Sequence, residues 1–249
     1  MNVAVDLNAD LGEGAASEEE LLTLVTSANI ACGFHAGSPE SMRASILAAQ
    51  KAGVKVGAHP SLADRENFGR RELPVGPNEV FSLVAYQLGA FQAIAISLGV
   101  HPNHVKPHGA LYNMAARDAT LAEAVASAVL AVDRSLILFA PGASALARAA
   151  AALGLQIARE VFADRNYLPD GSLVPRTRPD ALLHDPKEAA QGILRILREG
   201  VVRAVDGSDI TIQAETICVH GDTPDAVDFA RNLRAELNVA GVQVAAPLA

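Results

Sequence analysis

Four histidines stand where short apolar segments end and turn-forming residues begin. They occur in Gly-Phe-His35-Ala-Gly, Gly-Ala-His59-Pro-Ser, Lys-Pro-His108-Gly-Ala and Val-His220-Gly-Asp. One such histidine alone is more often a structural residue that is hydrogen-bonded to its loop. Because the same placement recurs four times, we expect a common site in which imidazole groups carry protons or bind a metal ion.

The first strand-like segment adds acidic groups in DLNADLGEG, residues 6–14. Asp6, Asn8 and Asp10 alternate along the chain, so an extended strand turns all three side chains to the same side. Carboxyl groups crowded in a partly dry site repel one another, which raises the pKa of at least one and suits a general base or a metal ligand. The alternative for Asp10 and Glu13 is a role in capping or in a turn.

Lys106 lies two residues before His108, so both side chains share one face of an extended segment. A lysine in such a site can neutralise a substrate carboxylate or a developing oxyanion. Arg70 and Arg165, on two long polar segments, can do the same. The alternative for Lys106 is a side chain whose stem lies along the surface and whose charge faces solvent.

These residues require a framework that brings the ends of strands together. Short runs rich in Val and Ile alternate with longer Ala- and Leu-rich segments of helical period, which is typical of βα units around a parallel sheet. In a parallel barrel the loops that follow the strands meet at one mouth, where the active site lies. We count seven units, with predicted strands at Val3–Leu7, Ser27–Cys32, Val54–Ala58, His104–Pro107, Leu136–Ala140, Gln156–Phe162 and Thr216–Val219.

Several features predict how the units are connected. No linker-like stretch divides the chain, so we expect one domain over residues 1–249. The polar stretches 62–77 and 164–183 predict long loops that can act as lids, and the Asp206-Gly207 pair predicts a small hairpin within residues 201–214. Helices are expected to begin at prolines that suit a first helical position, namely Pro39, Pro77, Pro186 and Pro224.

Composition and charge exclude several classes of function. The chain has 28 acidic and 20 basic residues, a net charge of -8, and no basic stripe, so nucleic acid is not expected as a partner. No apolar run approaches the length of a membrane span and no export signal is visible, so we expect a cytoplasmic protein. Cys32 and Cys218 lie in apolar runs, as buried free thiols do. There is no P-loop, nucleophile elbow or H-E-x-x-H zinc motif.

Long motifs in the chain resemble those of the LamB/YcsF family of 5-oxoprolinase subunits. They are DLNADLGEG, ANIACGFHAGSP, GAHPSLADRENFGRR, VKPHGALYN, FADRNYLPDGSLVPR and the C-terminal VHGD, in family order over nearly the whole chain. The resemblance implies ATP-dependent hydrolysis of 5-oxoproline (pyroglutamate) to L-glutamate, together with partner B and C subunits. It also implies an irregular seven-unit, TIM-like β/α barrel similar to the glycoside hydrolase/deacetylase superfamily.

For this chemistry we assign Asp10, His59, Lys106 and His108 to catalysis. Asp10 or a neighbouring histidine would deprotonate the attacking water, and Lys106 and His108 would stabilise the developing negative charge. ATP is expected as a co-substrate, because an unstrained lactam has a poorly electrophilic carbonyl that phosphorylation of its oxygen would activate. The residues expected to bind the substrate are Asp6, Asn8, His35, Arg165 and His220.

Two alternatives stay open at this point. In the first, the chain is a stand-alone metal-dependent deacetylase or amidohydrolase whose divalent ion is held by Asp10, His35 and His59. In the second, it binds the lactam without catalysis and leaves the reaction to its partner subunits. The sequence also leaves open a homo-oligomer and the identity of the subunit that binds ATP.

Overall fold

Seven parallel strands form the centre of the protein. A computed structural model describes residues 4–219 and 226–248. The strands are β1 (Ala4–Leu11), β2 (Ser27–Ala31), β3 (Lys55–His59), β4 (His104–Val105), β5 (Ile137–Ala140), β6 (Ile157–Phe162) and β9 (Thr216–Val219). They pair in sequence order, and β9 pairs with both β6 and β1, so the sheet closes into a barrel. The predicted seven-unit barrel is confirmed.

Helices follow most of the strands and surround the barrel. The expected proline starts are confirmed for the second, third and seventh helices, whereas Pro224 lies outside the described residues. The helices are α1 (Glu18–Leu21), α2 (Pro39–Ala52), α3 (Pro77–Ser97), α4 (Gly109–Arg117), α5 (Ala119–Val132), α6 (Ala145–Ala152), α7 (Pro186–Glu199) and α8 (Ala226–Val239).

The remaining strands lie outside the seven-stranded barrel. β7 (Val201–Arg203) and β8 (Asp209–Thr211) form the predicted antiparallel hairpin. β10 (Gln243–Val244) pairs in parallel with the start of β1. Both predicted long loops are present, and the first contains a short 3₁₀ turn at Arg65–Asn67.

The barrel strands separate an apolar layer from a polar interior. In β1, Leu7, Ala9 and Leu11 are buried in the apolar core between the barrel and its helices. Asp6 and Asn8 alternate with them and are also buried, 1% and 0% exposed, on the inner side. Because successive side chains of a strand point to opposite faces, one strand supplies both layers. The site therefore rests on a barrel interior filled with polar side chains.

Helix α3 is the longest helix of the described chain and is rich in apolar residues. By length and composition its 21 residues are sufficient to cross a membrane. Its buried face, which includes Val84, Leu88 and Phe91, packs in the layer between the barrel and helix α5. That packing is typical of the core helix of a barrel.

Candidate active site

Three inward-facing side chains of β1 mark successive depths inside the barrel. Asp6, Asn8 and Asp10 share one face, as the alternation predicts, and two residues along a strand correspond to about 6.6 Å. Asp6 and Asn8 are fully buried, whereas the Asp10 side chain at the mouth is 10% exposed. Only Asp10 of the three is therefore placed to meet a ligand from solvent.

Asp6 joins neighbouring strands at the deepest level. Its Oδ1 accepts hydrogen bonds from Thr26 Oγ1 at 2.6 Å and Ser27 Oγ at 2.8 Å, and its Oδ2 accepts one from Thr216 Oγ1 at 2.5 Å. Burial raises the pKa of Asp6 to about 6, although these hydroxyl hydrogen bonds oppose the shift. The structure thus gives Asp6 a supporting position in place of the expected contact with substrate.

Asn8 holds the middle level together. Its Nδ2 donates to Glu160 Oε1 at 3.0 Å and to Thr216 Oγ1 at 2.7 Å, and its Oδ1 accepts from Asn29 Nδ2 at 2.7 Å. Nε2 of His104 donates to Asn29 Oδ1 at 2.9 Å. Asn8 is therefore also a supporting residue, because its polar atoms are committed to other strands.

Lys106 is a buried cation directly beneath the mouth. Its Nζ lies 3.0 Å from Asp10 Oδ1, 3.1 Å from Glu160 Oε1 and 3.0 Å from Cys218 Sγ. Burial opposes a charge on Lys106, but the carboxyl groups of Asp10 and Glu160 outweigh it and raise the pKa well above its usual value. An ammonium has three N–H donors, so Lys106 acts on a ligand mainly through Asp10 and through its charge.

Next to Asp10, three histidines converge on Glu13. Glu13 Oε1 lies 2.8 Å from His35 Nε2, 3.5 Å from His108 Nδ1 and 4.0 Å from His59 Nε2. His59 Nε2 also lies 2.9 Å from His108 Nδ1 and 3.3 Å from Asp10 Oδ2. The rings of His35 and His108 stack with their centroids 3.8 Å apart. The structure therefore brings the predicted His35, His59 and His108 together.

Backbone carbonyls fix the protons of two of these rings. His59 Nδ1 lies 2.6 Å from the carbonyl oxygen of Lys106, and His108 Nε2 lies 2.8 Å from that of Phe68. A carbonyl oxygen only accepts, so each of these nitrogens carries hydrogen. Burial, followed by the charges of neighbouring histidines, lowers the pKa of His108 well below its usual value. A neutral His108 then presents a lone pair to the site, which differs from the expected role as a donor to negative charge.

The first long loop covers the histidines. Phe68 has a left-handed backbone with φ of 55°. This conformation is unusual for a bulky residue, and residues that adopt it occur most often at functional sites. Its ring meets His35 and His108 edge to face, and Arg70 lies over its outer side with Cζ 5.0 Å from the ring centroid. The predicted lid segment is thus packed onto the cluster.

Glu18 holds the turn that carries Glu13. Its carboxyl group accepts hydrogen bonds from the backbone N–H groups of Gly12, Glu13 and Gly14 at 2.8 to 2.9 Å, and from that of Ala15 at 3.2 Å. Four donors directed at one carboxylate form a closely fitted turn. The position of Glu13 is therefore determined by the start of α1.

Arg165 and His220 complete the set of residues expected to bind the substrate. Arg165 is 7% exposed, and its guanidinium donates to the carbonyl groups of Val174 and Ala181. These hydrogen bonds make Arg165 a residue that fixes the second long loop, residues 164–183. His220 lies outside the described residues, so its assignment stays a prediction.

Sequence reasoning missed several members of the network. Asn29, His104 and Glu160 are buried inside the barrel, and Glu13 was grouped with the carboxyl groups of the first segment without a role of its own. A signal was present, because Asn29 and Glu160 are polar residues within short strands that are mainly buried. Glu13 lies beyond the strand, where alternation no longer predicts direction.

Comparison with known proteins shows relatives over the whole length. A model of the LamB/YcsF family matches residues 5–249. The protein of Bordetella pertussis that is named as the A subunit of 5-oxoprolinase is 51% identical over 251 residues, covering 99% of this chain and 100% of the relative. Proteins of the same name from Methylococcus capsulatus and Bacillus subtilis are 53% and 47% identical, covering 97% of this chain and 95% and 96% of their own lengths.

Solved structures agree with the fold. The lactam utilization protein from Thermus thermophilus superposes with a TM-score of 0.91 at 43% identity, covering 99% of this chain and 100% of that one. A family 4 carbohydrate esterase from Streptomyces lividans gives a TM-score of 0.51 at 13% identity, covering 98% and 92%, and shares the fold alone. With a family model that matches nearly every residue, the chain belongs to the LamB/YcsF family.

Proposed function

We propose that this chain is the A component of an ATP-dependent 5-oxoprolinase, which hydrolyses 5-oxoproline to L-glutamate together with B and C subunits. The observation that carries the proposal is the 47–53% identity, over nearly the full length, to relatives that bear the name of this component. The mouth of the barrel supports it, because Asp10 and Glu13 are partly exposed there above a buried cation.

The proposed reaction explains why ATP is needed. A five-membered lactam is an amide without strain, so its carbonyl carbon attracts water weakly and its nitrogen leaves poorly. Transfer of a phosphoryl group to the lactam oxygen makes the carbon electrophilic. One water then opens the ring, the nitrogen takes up a proton, and a second water releases phosphate from the resulting acyl phosphate. The products are glutamate, ADP and phosphate.

Within this reaction we assign the general base to Asp10. Its Oδ1 is held by Lys106 and by Asn29 Nδ2 at 2.9 Å, while its Oδ2 lies beside His59. A base fixed by two donors on one oxygen directs the other oxygen toward a water at the mouth. Lys106 is a positioning residue here, since its contacts orient Asp10 and its positive charge stabilises the Asp10 carboxylate.

Reconstitution tests the proposal. Glutamate and phosphate release from 5-oxoproline and ATP are measured with this chain alone, with the B and C subunits alone, and with all three. We expect both products in stoichiometric amounts only from the full mixture. Replacing the chain with Asp10→Asn should lower turnover about 100-fold or more with binding of 5-oxoproline retained. Full turnover by B and C alone would contradict the proposal, and joint loss of binding and turnover would indicate a binding role for this chain.

A second candidate is a metal-dependent amide hydrolase that acts without ATP. The grouping of Glu13, His35, His59 and His108 favours it, because their ligand atoms lie within 4.8 Å of one another. The same experiment separates the two, since this candidate predicts ring opening by the isolated chain in the absence of nucleotide. In that case added B and C subunits would not raise the rate.

A further inference from the structure

We propose that Glu13, His35, His59 and His108 bind one divalent transition-metal ion at the mouth of the barrel. The inference concerns the chain itself and does not depend on the substrate. Four-coordinate sites place nitrogen and oxygen ligands about 2.1 Å from the metal, and therefore about 3.4 Å from one another. Four of the six donor separations in this group run from 2.8 to 4.0 Å and bracket that value, and all six lie within 4.8 Å.

The orientation of the rings suits a cation between them. His59 and His108 each give one N–H to a backbone carbonyl, so the facing nitrogens, His59 Nε2 and His108 Nδ1, are the positions that offer a lone pair to a metal ion. These nitrogens lie 2.9 Å apart, and Glu13 Oε1 adds a carboxyl oxygen on the same side. Three acceptors that face one point repel one another unless a cation or a proton lies among them.

The groups around these four residues hold the ligands by hydrogen bonds, as in known metal sites. Histidines that bind metals usually donate their second nitrogen to a carbonyl or carboxyl oxygen, which fixes the tautomer and the ring direction. The carbonyl groups of Lys106 and Phe68 do this for His59 and His108. The Glu18 carboxyl group fixes the turn that carries Glu13. The positions of His59, His108 and Glu13 are thus fixed by hydrogen bonds to groups that would not themselves bind the metal.

Charge at the mouth also favours a divalent cation. Asp10 and Glu160 contact the buried ammonium of Lys106, and Glu13 adds a further carboxyl group among the histidines. The Arg65 guanidinium lies farther out and donates to the carbonyls of Gly33 and Gly37. A divalent ion among the histidines would be attracted by Glu13 and by Asp10, whose Oδ2 lies 3.3 Å from His59 Nε2.

The donor types indicate which ions fit. Three imidazoles and one carboxyl group suit zinc, iron, cobalt or nickel, whereas magnesium and calcium prefer sites made of oxygen. Glu13 is the most exposed ligand, with 10% of its side chain accessible. Exchange of the ion with solvent is therefore expected from the side of the mouth.

Cobalt titration of the full chain tests the site without an assay of activity. The protein is freed of metal with a chelator, and Co²⁺ is added while visible d–d absorption and bound metal are measured. We expect one ion per chain. Glu13→Gln and His59→Gln should each weaken binding more than about 100-fold, since even changes outside the ligands cost 10- to 100-fold. His101→Gln, at an exposed loop histidine, should leave the titration unchanged.

The outcomes are distinct from those of the reconstitution. Absence of a saturable d–d band in the wild-type chain would overturn the metal site and leave the proposed hydrolysis standing. A band that persists in both Glu13→Gln and His59→Gln would overturn this ligand set. Far-UV circular dichroism of each variant shows whether it is folded, and Glu13→Gln, which changes the more exposed ligand, keeps the test decisive if His59→Gln fails to fold.

Discussion

The imidazole of His104 shows how the barrel interior controls protonation. The ring is fully buried, stacks on Phe139 with centroids 4.3 Å apart, and donates from Nε2 to Asn29. Burial, with a smaller contribution from the charge of Lys106, lowers its pKa from the usual 6.5 to about 3. His104 is therefore neutral in the folded protein throughout the physiological range.

This shift makes stability depend on pH. The unfolded chain protonates His104 near pH 6.5, whereas the folded chain does so only near pH 3, so the contribution of His104 to stability is complete above pH 6.5 and is lost as pH falls toward 3. At pH 5 the loss is about 2 kcal/mol. We expect wild type to lose about 2 kcal/mol more than His104→Gln between pH 7.5 and 5, as measured by urea unfolding.

The exposed His101→Gln variant is the matched control for that measurement. Its unfolding free energy should follow the wild-type dependence on pH. If His104→Gln has the same dependence as wild type, the buried neutral ring is not the cause. His35, whose pKa burial likewise lowers to about 3, contributes equally to both proteins and cancels in the comparison.

At the scale of single residues, the sequence predicted well which groups lie at the mouth of the barrel. It predicted their individual roles less well. The strand-end histidines 35, 59 and 108 and Asp10 meet there because parallel strands end at one edge. The supporting positions of Asp6 and Asn8 were not predictable, since alternation gives the face of a strand and not its depth in a closed barrel. The role of His108 depends on the Phe68 carbonyl, which a loop of the chain supplies from 40 residues away.

Among the elements, the first long loop has the closest contact with the site. Gly69 has φ of 65°, and a Cβ at this position would lie 2.8 Å from His35 Cβ and 3.0 Å from His108 Cδ2. Gly99 has φ of 73° with no atom within 4 Å of the corresponding position. The two glycines have similar positive φ angles and differ in what a methyl group would meet.

Alanine at each position separates backbone strain from displacement of the site. Gly69→Ala and Gly99→Ala should each lose about 1 to 2 kcal/mol of unfolding free energy from the left-handed backbone. Only Gly69→Ala should also lower glutamate release by the full mixture, by about 100-fold if the histidines move by about 1 Å. Equal turnover in the two variants would mean that the loop tolerates displacement and does not position the histidines.

The elements themselves were largely predictable. Seven strands, three proline helix starts and the β7–β8 hairpin follow from period, turn chemistry and capping. The first strand extends to Leu11, beyond the predicted end at Leu7. The predicted strand ended where polar residues interrupt the apolar run. These residues still belong to the strand, because the interior of this barrel is polar.

For the whole molecule, we expect the barrel and its long loops to unfold as one unit. The chain has no tryptophan and three tyrosines. Tyr112 and Tyr167 are buried where the second long loop meets the barrel, and Tyr167 Oη accepts from the Phe162 N–H at 2.9 Å. Near-UV circular dichroism therefore reports this junction, and far-UV circular dichroism reports the helices.

The two signals should have the same urea midpoint, because one domain over residues 1–249 predicts a single cooperative transition. Loss of the tyrosine signal at lower urea would show that residues 164–183 open separately and would argue against a single cooperative domain. Tyr86, which is 66% exposed, is expected to add little near-UV signal, and Tyr86→Phe serves as the control.

The polar interior has a consequence for how this protein can change over generations. Asn8, Asn29 and His104 form one hydrogen-bonded chain across β1, β2 and β4. Replacement of one leaves a buried partner without its hydrogen bond, which costs about 1 to 3 kcal/mol, a large part of the stability of an ordinary domain. In evolution, the members of this hydrogen-bonded chain are therefore expected to change together. The aliphatic side chains outside the barrel can change singly and by small steps in size.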